Sequence, residues 1–262
     1  MRLDWVGIPV DVREAGAGPA VILVHGYPLD GAMWSGVARV LATRFRVLKP
    51  DLPGRGENPA PAPSDLEGHV DFLEALLRAL PPPVGLAGFS MGGYVSLALL
   101  RRPPTSLRSV ALVDTRAEAD DEEGRKRRDD AIAAVRTGGV AKIAEAMVPK
   151  LLSEGGLANR DLVDRLRRII LRQKPETVEA DLASMRNRRD ARELLPAIRL
   201  PALVLVGDQD ALTPPALSEA MAAGIPNARL VKIAGAGHLA PMERPGAVAA
   251  ALGDFFASTL AA

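Results

Sequence analysis

The chain has 262 residues, 48% of them apolar and 25% charged, which is ordinary globular composition with length for one sizeable α/β domain carrying an inserted piece. A formal net charge of +1 gives no electrostatic reason to expect nucleic acid or an anionic membrane surface as partner. Cysteine is absent and the three histidines are scattered at positions 25, 69 and 238, which excludes disulfides and thiolate catalysis and argues against a metal site.

Met1-Arg2-Leu3-Asp4-Trp5 lacks an apolar targeting core, and no run approaches a membrane span, so a cytoplasmic location is expected. Arg2 to Trp5 reads as a short edge strand and Ile8 to Arg13 as a second, ended by the turn-forming Glu14 to Pro19. Ala20 to Val24 is a short unbroken apolar run, the pattern of a strand buried on both faces of a parallel sheet. His25-Gly26-Tyr27-Pro28 leads into a helix over Gly31 to Ala42. A strand at Phe45 to Leu48 then opens the loop Asp51-Leu52-Pro53-Gly54-Arg55-Gly56.

Ser64-Asp65-Leu66-Glu67 has capping-box spacing, and the helix it opens carries Leu66, Val70, Leu73, Leu76, Leu77 and Leu80 on one face before Pro81-Pro82-Pro83. Val84 to Ala87 is a strand-like run. It enters Gly88-Phe89-Ser90-Met91-Gly92, and a helix follows over Tyr94 to Arg101, ending before Pro103-Pro104. Gly-x-Ser-x-Gly between strand and helix is the nucleophile elbow, in which small residues flank a serine on a strained turn. Val110 to Val113 is a further buried strand. From Thr115 to Leu195 only amphipathic helical stretches occur, with nearly balanced charge, and the stretch reads as a cap over the carboxyl ends of the strands. Strand character returns at Ala202 to Val206 and at Leu230 to Ile233, and a last helix covers Pro245 to Thr259. The alternation predicts a mainly parallel sheet with helices on both faces.

A serine hydroxyl needs a base, and the base needs an acid to fix its tautomer. His238 follows the last strand among small residues, Gly235-Ala236-Gly237, and is the candidate base. His25, ending a buried strand, suits a structural hydrogen bond, and His69 reads as an exposed or half-buried bystander on its helix. Three carboxylates at strand ends compete for the acid: Asp210, lying deep in its loop as a partner of His238 should, ahead of Asp114 and of Asp208, which suits turn ordering. The oxyanion donors are the backbone N–H of Met91, at the start of the elbow helix, and that of Tyr27, since Pro28 has none to offer. Tyr27, Arg116, Met147 and Met185 are candidate substrate contacts. For Arg116 the competing role is an ion pair with Glu118 or Asp120.

These motifs, His25-Gly26, Asp51 to Gly56, Gly88 to Gly93, Gly207 to Asp210 and Gly237-His238, resemble in order and spacing the α/β-hydrolase fold superfamily, over almost the whole chain. Within it, the chain is similar to small bacterial carboxylesterases and 3-oxoadipate enol-lactonases. The resemblance implies an eight-stranded, mostly parallel sheet flanked by helices, with a helical cap inserted after strand 6. The core would be residues 1–114 and 196–262 and the cap 115–195. It also implies a catalytic triad of Ser90, Asp210 and His238, an acyl-enzyme intermediate, no cofactor, and a monomer or homodimer. Ester hydrolysis of small acyl groups is the expected activity, with a lactone, a C–C bond or perhydrolysis at the same triad as alternatives. A ligand-binding signalling role is a further alternative. The substrate would be a small molecule, with neither nucleic acid nor membrane as partner. Ser90 argues against the dehalogenase and epoxide hydrolase branches, which use a carboxylate nucleophile. Asn58 stands where the family usually has serine, which implies a local loop difference.

Overall fold

Val6-Gly7 takes positive φ at both positions (50° and 76°), the hairpin geometry that matches strand twist, and joins β1 (Arg2–Trp5) to β2 (Ile8–Asp11). In this computed structural model, which describes residues 1–102 and 105–261, that hairpin is a two-stranded sheet of its own and the remaining strands form a sheet of seven. The expectation of a single eight-stranded sheet is therefore corrected. The physical cause lies at Val12. Its side chain is buried and its N–H donates to the Met1 carbonyl at 2.8 Å, so Ile8 to Arg13 cannot continue as one strand. β3 (Arg13–Ala15) departs instead to pair antiparallel with β5 (Arg46–Lys49).

The large sheet runs β3-β5-β4-β6-β7-β8-β9, where β4 is Ala20–Val24, β6 Val84–Phe89, β7 Leu107–Val113, β8 Ala202–Gly207 and β9 Ala228–Ile233. Every pairing except β3 with β5 is parallel. β4, β6 and β8 are buried at each position, which is why they read as unbroken apolar runs.

A 3-10 turn at Gly31–Trp34 precedes α1 (Ser35–Leu41), and Trp34 packs edge-on against Phe89. α2 (Leu66–Arg78) starts one residue later than the capping-box reading implies: Asp65, not Ser64, is its N-cap, accepting from the Gly68 N–H at 3.2 Å. α3 (Met91–Leu99) begins directly after the elbow serine. Pro103-Pro104, expected to lie beyond its end, fall outside the described residues.

Between β7 and β8 the described residues are helical: α4 (Glu122–Leu151), kinked at Gly139 (φ 66°), α5 (Glu154–Ala158), α6 (Arg160–Leu171) and α7 (Pro175–Arg186), then a 3-10 segment at Arg192–Ala197. This insertion follows the seventh strand of the chain rather than the sixth, again because of the break at Val12. It is tied to the sheet layer by charge. Arg172 and Gln173 reach buried Asp30 at 2.5 and 2.8 Å, and buried Arg55 pairs with buried Asp181 of α7.

α8 (Pro215–Gly224), α9 (Ala240–Glu243) and α10 (Pro245–Leu260) complete the chain. Strand alternation divides the core between two faces. Val110, Leu112 and Val204 pack with Leu97 of α3, Met221 of α8 and Ile225 just beyond α8. Ala111, Val113, Leu203 and Leu205 pack toward Val248, Leu252 and Phe256 of α10. No helix among the described residues is long and apolar enough to cross a membrane.

Candidate active site

The turn at Ser90 is strained: φ is 50° and ψ −113°, a region that a residue with a Cβ occupies only when its surroundings hold it there. Those surroundings are tight. The Ser90 N–H donates to the Val113 carbonyl at 2.9 Å, and the Thr115 hydroxyl donates to the Ser90 carbonyl at 2.8 Å. A Cβ at Gly92 would sit 2.6 and 2.7 Å from the carbonyl oxygens of His25 and Val24, and one at Gly88 would collide with the Gly92 carbonyl. The glycines of the elbow are thus required by the closeness of α3 to β4 and β6.

Ser90, His238 and Asp210, which lie at the ends of β6, β9 and β8, meet in one hydrogen-bonded chain. His238 Nε2 is 2.9 Å from Ser90 Oγ, and His238 Nδ1 is 2.8 Å from Asp210 Oδ2. Asp210 is 3% exposed and also accepts from the N–H groups of Leu212 and Thr213 and from the Thr213 hydroxyl, at 2.8, 2.9 and 2.6 Å. Burial alone would raise its pKa, but His238 beside it and the Thr213 hydrogen bonds outweigh that and hold the carboxyl below its usual range. The ionised Asp210 fixes the tautomer in which Nδ1 carries the proton and Nε2 faces the serine as acceptor. Phe89 packs against the imidazole with ring centroids 5.2 Å apart.

The other two carboxylates have different tasks. Asp208 accepts from the Gly235 N–H at 2.8 Å and orders the turn. Asp114, fully buried with φ 45°, accepts from the Gly207 N–H at 2.7 Å and so fixes the end of β8. Burial, reinforced by the nearby Asp210 charge, pushes its pKa well above the ordinary carboxylate value.

His25 is occupied elsewhere: its Nε2 accepts from the Leu52 N–H at 3.0 Å, which leaves Nδ1 to donate to the Gly26 carbonyl at 3.2 Å. Burial lowers its pKa and keeps it neutral. His69 is not the exposed or half-buried residue expected; it is fully buried, with Nε2 3.5 Å from Asp181. It falls on the same stripe of α2 as Leu66, Val70 and Leu73, at the i, i+3, i+4, i+7 spacing of a buried face.

Among the described residues neither the Tyr27 nor the Met91 backbone N–H donates to a protein acceptor. Met91 opens α3, so its N–H lies at the positive end of the helix dipole. Gly26 lets the Tyr27 loop approach: a Cβ there would sit 2.8 Å from the Phe89 ring and 3.0 Å from Ser90 Cβ. The Tyr27 phenol is buried without a hydrogen-bond partner, burial raises its pKa, and Arg55 lies 6.0 Å from its ring centroid. Asn58 closes the Asp51 loop, donating to the Asp51 carbonyl at 2.8 Å and accepting from the Ala60 N–H at 3.0 Å.

Ser90 and His238 open onto a cavity of about 260 Å³ that Tyr27, Arg116, Met147 and Met185 all line. Arg116 is ion-paired with Asp120 at 2.5 Å while still facing the cavity. Burial opposes its charged form, and Tyr94 and Asp120 beside it more than offset this, so its pKa is raised. Two residues escaped sequence reasoning. Thr213 bridges Asp210 and His238, and the Asp210-x-x-Thr213 spacing of an Asx-type turn was its signal. Glu243 accepts from the Gly237 N–H at 2.7 Å and from Ser153 Oγ at 2.5 Å, bracing the His238 loop against α5; no local pattern announces it.

Residues 19–245 match the family model described as the alpha/beta hydrolase fold. The chain is an α/β hydrolase. It is 31% identical over 233 residues to a pimeloyl-[acyl-carrier protein] methyl ester esterase of Chromobacterium violaceum, covering 87% of this hydrolase and 90% of that protein. A thermophilic esterase from Thermogutta terrifontis, solved with malate bound, superposes with a TM-score of 0.94 at 37% identity, covering 100% of this chain and 99% of that one. The enol-lactonase from Burkholderia xenovorans superposes with a TM-score of 0.89 at 26% identity, covering 98% and 100%. Small esterases and an enol-lactonase are thus the company this hydrolase keeps.

Proposed function

We propose that this hydrolase cleaves carboxylic esters of small acyl groups through an acyl-enzyme intermediate on Ser90. The observation that carries the proposal is the unbroken hydrogen-bonded chain from Asp210 through His238 to Ser90 at the floor of a cavity. Ser90 Oγ attacks the ester carbonyl carbon while His238 Nε2 takes its proton. The negative charge that develops on the carbonyl oxygen is met by the N–H groups of Tyr27 and Met91. Collapse breaks the ester C–O bond, and the imidazolium returns its proton to the departing alcohol. Water then gives a proton to His238 as it attacks the acyl carbon, releasing the carboxylic acid and restoring the serine.

Residues 115–195 act as a cap on a core of residues 1–114 and 196–262, with Met147, Met185 and Leu182 as the aliphatic wall that faces the acyl chain. A lactone is a cyclic ester opened by the same steps, and the likeness to an enol-lactonase supports that second reading.

The test is turnover of p-nitrophenyl acetate and butyrate by the parent protein and by Ser90→Ala. The parent should hydrolyse both, and the variant should lose about 10⁴-fold or more in kcat. Comparable activity in the variant would overturn the assignment of the nucleophile.

A further inference from the structure

The cavity above Ser90 is charged in one sense. Arg116, Arg127, Arg128 and Lys150 line it, against a single lining carboxylate, Asp120. That carboxylate is already shared. Arg116 Nη2, Arg128 Nε and Arg188 Nη1 converge on its two oxygens at 2.5, 3.0 and 2.9 Å. One negative charge among three guanidiniums leaves the group cationic. The other acidic neighbours do not reverse this. Glu123 takes exposed Arg127 at 2.6 Å. Glu118, beside Arg116, forms no ion pair among the described residues, and even with its charge counted the three arginines stay in excess.

Position and desolvation make this excess useful. Arg116 and Arg128 each have side chains only 22% exposed, so an anion meeting them gains more than it would on an open surface. Arg116 Nε is buried and has no hydrogen-bond partner among the described residues. The segment that carries Arg116 is fastened to the elbow by the bond from Thr115 to the Ser90 carbonyl. Tyr94, about 6 Å of helical rise from Ser90, lines the same cavity and holds Arg188 over its ring at 4.2 Å. Arg116, Arg127, Arg128 and Lys150 therefore share one cavity with the nucleophile, with Met147 and Met185 alongside.

We infer that the substrate is an ester whose acyl chain ends in a free carboxylate, with Arg116 and Arg128 holding that carboxylate while the ester carbonyl lies at Ser90. This rests on the ester-hydrolase assignment above and narrows it to half-esters of short dicarboxylic acids.

The experiment compares kcat/KM for monomethyl succinate, glutarate and adipate with the methyl esters of the neutral monoacids of equal chain length. The parent should favour the matching half-ester by roughly tenfold to a hundredfold, mainly through KM, the range of a charge-assisted hydrogen bond. Arg116→Gln and Arg128→Gln should bring the ratio toward one, and Arg116→Lys should restore part of it. Lys126→Gln, which removes an exposed cation of the same helix paired with Asp130 at 2.9 Å, should keep the parental ratio. Should an arginine variant not fold, the parent alone still decides: glutarate should inhibit neutral-ester hydrolysis competitively, roughly tenfold or more better than butyrate. Equal or better use of the neutral esters, or a proportional loss of both ester classes in the glutamine variants, would overturn the inference. Ser90-dependent hydrolysis of neutral esters without carboxylate preference refutes the anion site alone. No hydrolysis of any ester and no labelling of Ser90 by a fluorophosphonate refutes the hydrolase assignment beneath it.

Discussion

Replacing Gly92 by alanine tests whether the elbow is built by backbone proximity. The added methyl would lie 2.6 Å from the His25 carbonyl oxygen and 2.7 Å from that of Val24, where a real Cβ needs more than 3.0 Å. The obstructing atoms are backbone at the end of β4, a strand buried at every position, so no side chain can swing aside. Relief requires α3 to move off the sheet by several tenths of an ångström. Overpacking of this kind costs about 1–3 kcal/mol, and the rigid neighbours place Gly92→Ala at the upper end, about 3 kcal/mol. For a chain of this size that corresponds to a fall in Tm of roughly 6–12 °C. The same movement displaces the Met91 N–H and Ser90 relative to His238 and should slow the chemistry, by up to the roughly 10²-fold that a full ångström of misplacement costs. The assay is a thermal melt beside the rate of fluorophosphonate labelling, with Gly246→Ala as control. Gly246 lies in the first turn of α10 with nothing within 4 Å of its virtual Cβ, so that variant should melt at or slightly above the parental temperature. If Gly92→Ala melts within about 2 °C of the parent and labels at the parental rate, the steric account of the elbow is wrong.

Asp210→Asn should lower kcat by about 10³–10⁴-fold, because the amide cannot hold the required imidazole tautomer or balance its charge. Asp114→Asn should remain active. The raised folded pKa of Asp114 means its protonated form is favoured in the fold, so its contribution is lost as pH rises from the unfolded value toward the folded one. The asparagine variant should therefore gain Tm over the parent as pH rises from about 4 to about 8, and an unchanged difference would refute the assignment. Asp181→Asn leaves the Arg55 charge buried without its anion, which should cost about 3–5 kcal/mol in a denaturant titration. Burial opposes the Asp181 charge and Arg55 and His69 overcome it. Its lowered pKa thus adds stability above the unfolded value, and this is lost as pH falls through the folded pKa, so the parent's margin over the variant should shrink in acid. Glu243→Gln weakens the charge-assisted bonds to Gly237 and Ser153, and kcat for a neutral ester should fall roughly tenfold while KM stays within about twofold; an equal rise in KM would point to the cavity instead.

The parallel strands were legible because their burial leaves nothing polar to interrupt them: Ala20 to Val24 and Ala202 to Val206 coincide with β4 and with all but the last residue of β8. The elbow was legible because its glycines are forced by contact between backbones. What periodicity cannot convey is partnership. Ile8 to Arg13 alternates as a strand should, yet nothing in that alternation says that Val12 ends one pairing and Arg13 begins another with β5. His69 could have been found, since its position on the apolar stripe of α2 is visible in the letters. Its partner Asp181 could not, because that contact joins α2 to a helix of the insertion through tertiary packing alone. The same holds for Asp120, whose role depends on three arginines from α4, from the end of β7 and from beyond α7 closing on one carboxylate.

The most direct measurement of the whole account is the intact and peptide-resolved mass of the protein after exposure to a fluorophosphonate. A single adduct should form, map to Ser90, and vanish in Ser90→Ala, with its rate falling about 10³-fold or more in His238→Ala. A protein that stays unmodified, or carries its adduct on another residue, would contradict the claim that Asp210 and His238 make Ser90 a nucleophile.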